Sequence, residues 1–189
     1  MKIEDKKYIK EISQLIKSLL NFCKYELEIN KDEISLSCSS QNITKILLFL
    51  RDNPSLSMEC LIDLTAVDFP ADKSRFLIVY NLLSISKNFR LKVKFKTPEQ
   101  EVIPSVCEIY SNANWCEREI WDLFGIKFKG HPDLRRILTD YDFQGHPLRK
   151  DFPLTGFTQV RYDNELSRVV VEPVKLDQEY RNFDNLSPW

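Results

Sequence analysis

The chain has 189 residues, 43% of them apolar and 12% aromatic, enough to bury a core and too many for a disordered tail. Charged residues make up 29% but sum to a net charge of −1, which argues against the basic footprint of a nucleic-acid binder. Cys23, Cys38, Cys60, Cys107 and Cys116 are odd in number and lack any close metal-ligand spacing, so they read as free thiols in a reducing compartment.

No apolar run approaches the ~18 residues needed to span a bilayer. The opening MKIEDKKYIKEI is rich in lysine, but it has no arginine and carries Glu4, Asp5 and Glu11, unlike a transit peptide. The expectation is a protein that works where it is made, or one from which a targeting segment has been removed.

In chain order, Ile9, Ile12, Ile16, Leu19 and Leu20 recur at helical spacing over residues 5–20. Tyr25 to Ile29 and Glu33 to Cys38 alternate around Asn30-Lys31-Asp32 and predict a hairpin. Ile43, Ile46, Leu47 and Leu50 mark a second helix, with Asn42 at its start and Pro54 beyond its end. Cys60 to Val67, Arg75 to Leu83 and Phe89 to Phe95 read as strands, the last with Phe89, Leu91, Val93 and Phe95 on one face and basic residues on the other.

A short helix follows from Trp115 to Phe124, with Asn114 capping, Glu117 reaching back, and Gly125 as its stop. Ile120, Trp121 and Phe124 form its apolar stripe; Glu119 and Asp122 lie off it. From residue 126, prolines recur at 132, 147, 153, 173 and 188, and periodicity fades except for a hairpin of Gln159 to Asp163 with Arg168 to Glu172. The fold class expected is α+β, a small mixed sheet packed with helices over residues 1–125. An extended C-terminal interaction arm, 126–189, follows; it is too rich in aromatic and aliphatic residues to be disordered, and so wants a partner.

Within GHPDLRRILTDYDFQGHPLRKDFPLTG the Gly-His-Pro phrase occurs twice, and it contains the only two histidines, His131 and His146. As metal ligands they are badly spaced, and recruiting Cys116 or Asp133 is not compelled by any pattern. As general bases they lack a nucleophile elbow, a phosphate loop or a dinucleotide fingerprint nearby. A structural reading suits the residue types better. Glycine allows a sharp bend, Pro132 or Pro147 fixes the next φ, and Leu134 or Leu148 anchors the turn. Arg135, Arg136 and Arg149 then clamp carboxylates from the mixed set Glu117, Arg118, Glu119 and Asp122.

The stretch NWCEREIWDLFGIKFKGHPDLRRILTDYDFQGHPLRKDFPLTG closely resembles the signature of the thirty-kilodalton, NuoC-type, peripheral-arm subunits of NADH:ubiquinone oxidoreductase, respiratory complex I. DLTAVDFP, RFLIVYNLLS and the closing QVRYDNELSRVVVEPVKLDQEYRNFDNLSPW are similar to the same family, so the resemblance covers about residues 58–189. Residues 1–57 match in pattern alone. Cys116 stands at a variable position and is assigned no role, and the arm is expected to be complete at Trp189.

The resemblance implies a non-catalytic core subunit that supports assembly and electron transfer from NADH to ubiquinone. It implies no redox centre, metal or catalytic residue in this chain, with FMN and iron–sulfur clusters in other subunits. The implied partners are the large quinone-site subunit and neighbouring iron–sulfur subunits, with no nucleic acid and no membrane span. Glu117, Arg118, Glu119, Asp122, His131, Pro132, Asp133, Arg135, Arg136, His146, Pro147, Arg149, Lys150 and Asp151 become signature residues of the partner interface. Three alanines and four glycines against sixteen isoleucines and seventeen lysines suggest an AT-rich coding genome. That composition is similar to mitochondrially encoded members and implies the matrix side of the mitochondrial inner membrane; the alternative is the cytoplasmic face of a bacterial inner membrane.

Overall fold

The computed structural model describes residues 3–31, 33–178, 181, 186 and 187. The chain divides into two compact units, Met1–Asp151 and Phe152–Trp189. Asp32 of the predicted turn and most of the closing segment beyond Gln178 lie outside the described residues.

The first unit begins with α1 (Ile3–Leu19), whose Ile12 and Ile16 are buried, followed by the hairpin β1 (Glu26–Asn30) and β2 (Glu33–Ser37). A single 3-10 turn leads into α2 (Ile43–Asp52), which buries Ile43, Ile46, Leu47 and Leu50, the stripe its spacing predicts. The strands β3 (Cys60–Asp68), β4 (Phe76–Ser84) and β5 (Phe89–Thr97) pair antiparallel in succession. The sheet order is β1-β2-β5-β4-β3, and β2 lies parallel to β5 with Ile34 opposite Leu91. The sheet is therefore mixed and the class α+β, as expected.

In β5 the alternation holds: Phe89, Leu91, Val93 and Phe95 enter the core, while Lys92 and Lys94 reach Glu33 and Glu28 across the surface at 2.6 and 2.7 Å. Such exposed pairs contribute roughly 0–1 kcal/mol each, so burial of the apolar face dominates. Strand β4, flanked on both sides, buries Phe76, Ile78, Tyr80 and Leu82.

Helix α3 (Ala113–Phe124) lies against β3, an edge strand whose unpaired backbone groups would otherwise invite aggregation. The Asn112 side chain donates to the Leu61 carbonyl at 2.6 Å. Cys116 is partly buried and packs against the core, a local structural use that sequence reading misses. The expected capping box does not form. The helix starts after Asn112, and Glu117 is fully buried, accepting the Val106 amide at 2.7 Å instead of turning back toward Asn114. Gly125 ends the helix as predicted, in the left-handed region at φ +78°, with its amide on Trp121 O.

After α3 the chain does not leave the domain. Strand β6 (Ile103–Pro104) pairs parallel with β7 (Phe128–Lys129), and Ile126 and Phe128 are buried. The packing division therefore falls after Asp151, whereas the sequence suggests residue 125. The physical reason is that polar groups from 131–150 return to α3 and β3.

The second unit contains the predicted hairpin, β8 (Thr158–Asp163) with β9 (Arg168–Pro173). Its register sets Val160 opposite Val171 and Tyr162 opposite Val169. Strand alternation gathers these four on one face, and Gln159, Arg161 and Glu172, joined by hydrogen bonds and an ion pair, on the other. Among the described residues of this unit none is buried. No helix among the described residues is long and apolar enough to cross a membrane.

Candidate functional site

The repeated phrase is a pair of straps on α3. Gly130 and Gly145 both take positive φ, +86° and +94°, so each phrase turns sharply where the sequence predicts. His131 Nε2 then meets the Asn114 carbonyl at 3.0 Å in the first turn of the helix. His146 Nδ1 meets the Asp122 carbonyl at 2.9 Å in the last turn. Because carbonyls only accept, each ring donates there; His131 Nδ1 in turn accepts the Asp133 amide at 3.0 Å. The two carbonyl anchors are eight residues apart along a helix rising 1.5 Å per residue, about 12 Å. Two rings held so far apart do not chelate one ion and do not act as one catalytic pair.

Between the straps, Asp122 is the hub. It is fully buried, and its Oδ2 accepts the amides of Ile137, Leu138 and Thr139 at 3.1, 2.8 and 2.9 Å. Its Oδ1 accepts Arg136 Nη1 at 2.7 Å and the Thr139 hydroxyl at 2.5 Å. Burial by itself would raise the carboxyl pKa, but the hydrogen bonds from Thr139, Leu138 and Arg136 outweigh it and hold it well below the usual carboxylate range. Arg136 also reaches the Gly145 carbonyl at 3.1 Å and packs over the rings of Trp121 and Phe143. Arg118, one turn earlier on α3, donates to the carbonyls of Arg135 and Arg136 at 3.1 and 2.9 Å.

The second phrase closes on the sheet. The Leu148 amide donates to Leu123 O at 3.0 Å, and Arg149 Nε donates to Phe124 O at 2.6 Å while its Nη1 pairs with Glu99 at 2.5 Å. The Lys150 amide donates to Asp68 Oδ2 at 2.8 Å. Asp68 is itself held bidentately by Arg75 at 2.7 and 2.9 Å, and Arg75 also pairs with Asp151 at 2.9 Å. The Arg75 hydrogen bond keeps Asp68 ionised to unusually low pH. Sequence reading missed Asp68, Arg75 and Glu99, whose only signal was unpaired charge at the ends of predicted strands.

The named signature residues thus separate by direction. Glu117, Arg118, Asp122, Arg136, His146 and Arg149 are wholly or partly buried and direct their polar atoms to partners within the chain. Arg149, expected to clamp a partner, instead binds Phe124 and Glu99. Glu119, Pro132, Asp133, Arg135, Lys150 and Asp151 are exposed; Arg135 pairs at 2.8 Å with Asp133, and both side chains face solvent. Pro147 is half-buried. Leu134 packs on the core as expected, whereas Leu148 is exposed and anchors through its amide. A cavity of about 640 Å³ lined by Ile9, Ile12, Ile34, Leu82, Phe89 and Leu91 contains neither histidine. The arrangement is a clasp that locks α3 to the segment after it and presents a rim of charged residues.

Comparisons with known proteins identify the family. Residues 36–158 match the family described as "Respiratory-chain NADH dehydrogenase, 30 Kd subunit". The C-subunit of NADH-quinone oxidoreductase from Azorhizobium caulinodans is 57% identical over 157 residues, 83% of this chain and 74% of that one. Its counterpart from Rhodospirillum rubrum is 49% identical over 181 residues, 96% of this chain and 85% of that one. In fold, the chain is similar to one in the structure of the membrane-bound sulfane sulfur reductase, an archaeal respiratory membrane complex, with a TM-score of 0.64 at 24% identity, covering 78% of this chain and 86% of that one. With the match spanning the end of β2 to the start of the C-terminal hairpin, straps and clasp included, the chain belongs to the family of the 30 kDa subunit of respiratory-chain NADH dehydrogenase.

Proposed function

We propose that this complex I subunit acts by docking, carrying no redox centre of its own, and that its C-terminal unit grips partner subunits of the peripheral arm. One observation carries the reading: Val160, Tyr162, Val169 and Val171 share one face of the hairpin and are each about 60% exposed (59, 59, 61 and 66%). A lone two-stranded hairpin is marginal in water. Fully burying one such side chain stabilises by about 1.5–3 kcal/mol, so a partner covering this face would order it. On its back Gln159, Arg161 and Glu172 pair among themselves beside a half-buried Val170, so the widely exposed apolar side is the one open to contact.

The partners that this reading names are the large quinone-site subunit and the neighbouring iron–sulfur subunits. FMN and the clusters belong to other chains, and electrons pass from NADH to ubiquinone through those chains while this one holds them in place. The rim residues Glu119, Asp133, Arg135, Lys150 and Asp151 extend the contact with polar groups. The compartment proposed is the matrix face of a mitochondrial inner membrane, supported by the few alanines and glycines against many isoleucines and lysines. The bacterial names of the relatives favour a second reading, the cytoplasmic face of a bacterial inner membrane.

The test is a native gel of gently solubilised membranes from cells whose only copy carries Val160→Asp with Val171→Asp, stained for NADH dehydrogenase activity. The expected result is a variant chain migrating free of the large active band. Normal incorporation and activity would overturn the docking role of this face. Tagging the chain and locating it by cell fractionation decides between the two compartments.

A further inference from the structure

We propose that Cys107, Glu117 and His131 form a binding site for one divalent cation of the zinc class, a structural ion that ties the loop before α3 to the helix and to the first strap. The ligand atoms of these three side chains lie within 4.8 Å of one another. No sequence pattern announces the set, because its members come from a loop, a helix interior and a turn, ten and fourteen residues apart in succession.

The geometry suits the ion. Cys107 Sγ and Glu117 Oε2 are 3.5 Å apart. Zinc holds thiolate sulfur at ~2.3 Å and carboxylate oxygen at ~2.0 Å, and a tetrahedral angle between them spans ~3.5 Å. The cation would thus replace the thiol proton between two atoms already at the right separation. That proton leaves to solvent, and the new bonds are sulfur to metal and oxygen to metal.

His131 donates from Nε2 to the Asn114 carbonyl at 3.0 Å. Its other nitrogen holds its lone pair toward the Asp133 amide at 3.0 Å. Both ring nitrogens are engaged, so the ion would take one of them in place of its present partner.

The charge also calls for a cation. Glu117 is fully buried, and among the described residues no Lys or Arg forms an ion pair with it. A buried carboxylate held by the Val106 amide, the Ser105 hydroxyl and the Cys107 thiol, with no cationic side chain paired to it, is costly, and a doubly charged ion with thiolate and carboxylate ligands makes the set neutral. The Tyr80 hydroxyl, buried without a hydrogen-bond partner, lies within electrostatic reach of both Glu117 and Cys107. The mixed sulfur, nitrogen and oxygen donors favour zinc over magnesium or calcium, which take oxygen. A water molecule completes four-coordination.

The inference does not depend on the docking role of the hairpin. Its test uses the purified full-length chain, stripped of metal and titrated with Co²⁺ as a spectroscopic probe and then with Zn²⁺ in competition. The expected result is one Co²⁺ per chain, with the visible bands of tetrahedral cobalt and a thiolate charge-transfer band, both displaced by Zn²⁺. Cys107→Ser should remove the charge-transfer band, while Cys116→Ser should keep it. His131→Asn, at a half-exposed position, should fold normally and weaken binding more than ~10-fold. Zn²⁺ should raise the melting temperature of the parent chain in a dose-dependent way, and that shift should vanish in Cys107→Ser. Absence of cobalt bands, bands that survive Cys107→Ser, or unchanged affinity in His131→Asn would each overturn the proposal.

Discussion

The Nδ1–H of His146 donates to the backbone carbonyl of Asp122 at 2.9 Å, joining the second strap to the last turn of α3. Burial, assisted by the nearby Arg149 and Arg136 charges, lowers the His146 pKa below its ordinary 6.5. The unfolded chain therefore binds the proton more readily. Stability from this group is complete above pH 6.5 and declines as pH falls through that value toward the lower folded pKa. Urea titrations between about pH 7 and 5 should show this loss. His146→Asn, which keeps a donor near Nδ1 but does not titrate, should flatten that part of the profile.

Asp122 offers the larger acid effect. Its pKa is depressed in the folded chain, so its contribution is complete above about pH 4 and is lost as pH falls below it. Asp122→Asn turns an amide group toward three backbone donors and leaves Arg136 without its buried partner. The expected cost is roughly 3–5 kcal/mol, read as a fall in the urea midpoint at neutral pH. A midpoint within experimental error of the parent would show that the clasp does not depend on this carboxylate.

Two glycines in the same conformational region allow packing and backbone strain to be separated. Gly130 has φ +86° and open space where a Cβ would stand, so Gly130→Ala should cost about 1–2 kcal/mol from the left-handed backbone alone. At Gly125, φ +78°, an added Cβ would lie 2.5 Å from His146 Cδ2 and 2.6 Å from Arg149 Nη2. Gly125→Ala should therefore cost more than Gly130→Ala and also displace the His146 strap. Thermal melts of the two variants side by side measure the difference, and equal losses would mean that His146 and Arg149 yield freely.

Arg149 and Arg135 should behave in opposite ways. Arg149→Lys removes the fork shared by Phe124 O and Glu99, so the chain itself should lose about 1.5–3 kcal/mol, the worth of a charge-assisted hydrogen bond. Arg135→Lys touches an exposed pair and should leave stability within ~0.5 kcal/mol. If Arg135 contacts a partner, its variant should instead reduce incorporation into the complex on a native gel. Normal incorporation would confine Arg135 to its pair with Asp133.

Truncation distinguishes the two boundaries. Removing residues 152–189 leaves the buried core of 12–128 and the Asp122 hub with all their partners, so the far-ultraviolet dichroism and a cooperative melt should persist. Removing 126–189 deletes Phe128 from the core and every amide that Asp122 accepts. That chain should melt many degrees lower or fail to fold. Equal melting of the two would show that the segment 126–151 only decorates the domain.

Much of this protein is determined by local pattern. Alternation in Phe89 to Phe95, helical spacing in Ile43 to Leu50 and the left-handed stop at Gly125 are consequences of periods of two and 3.6 and of a missing Cβ, each readable within a few neighbours. The repeated Gly-His-Pro turns belong with them, and the signature around them was enough to indicate the family.

What tertiary structure decided is where polar atoms find partners. Asp122 and Glu117 lie on one helix, yet one is satisfied by amides fifteen to seventeen residues ahead and the other by an amide eleven residues behind. Cys116 packs against the core, and Arg149 turns inward to Phe124 and Glu99. Hydrogen bonding is short-ranged and directional, so a side chain's partner depends on how distant segments cross. No period along the chain encodes that crossing.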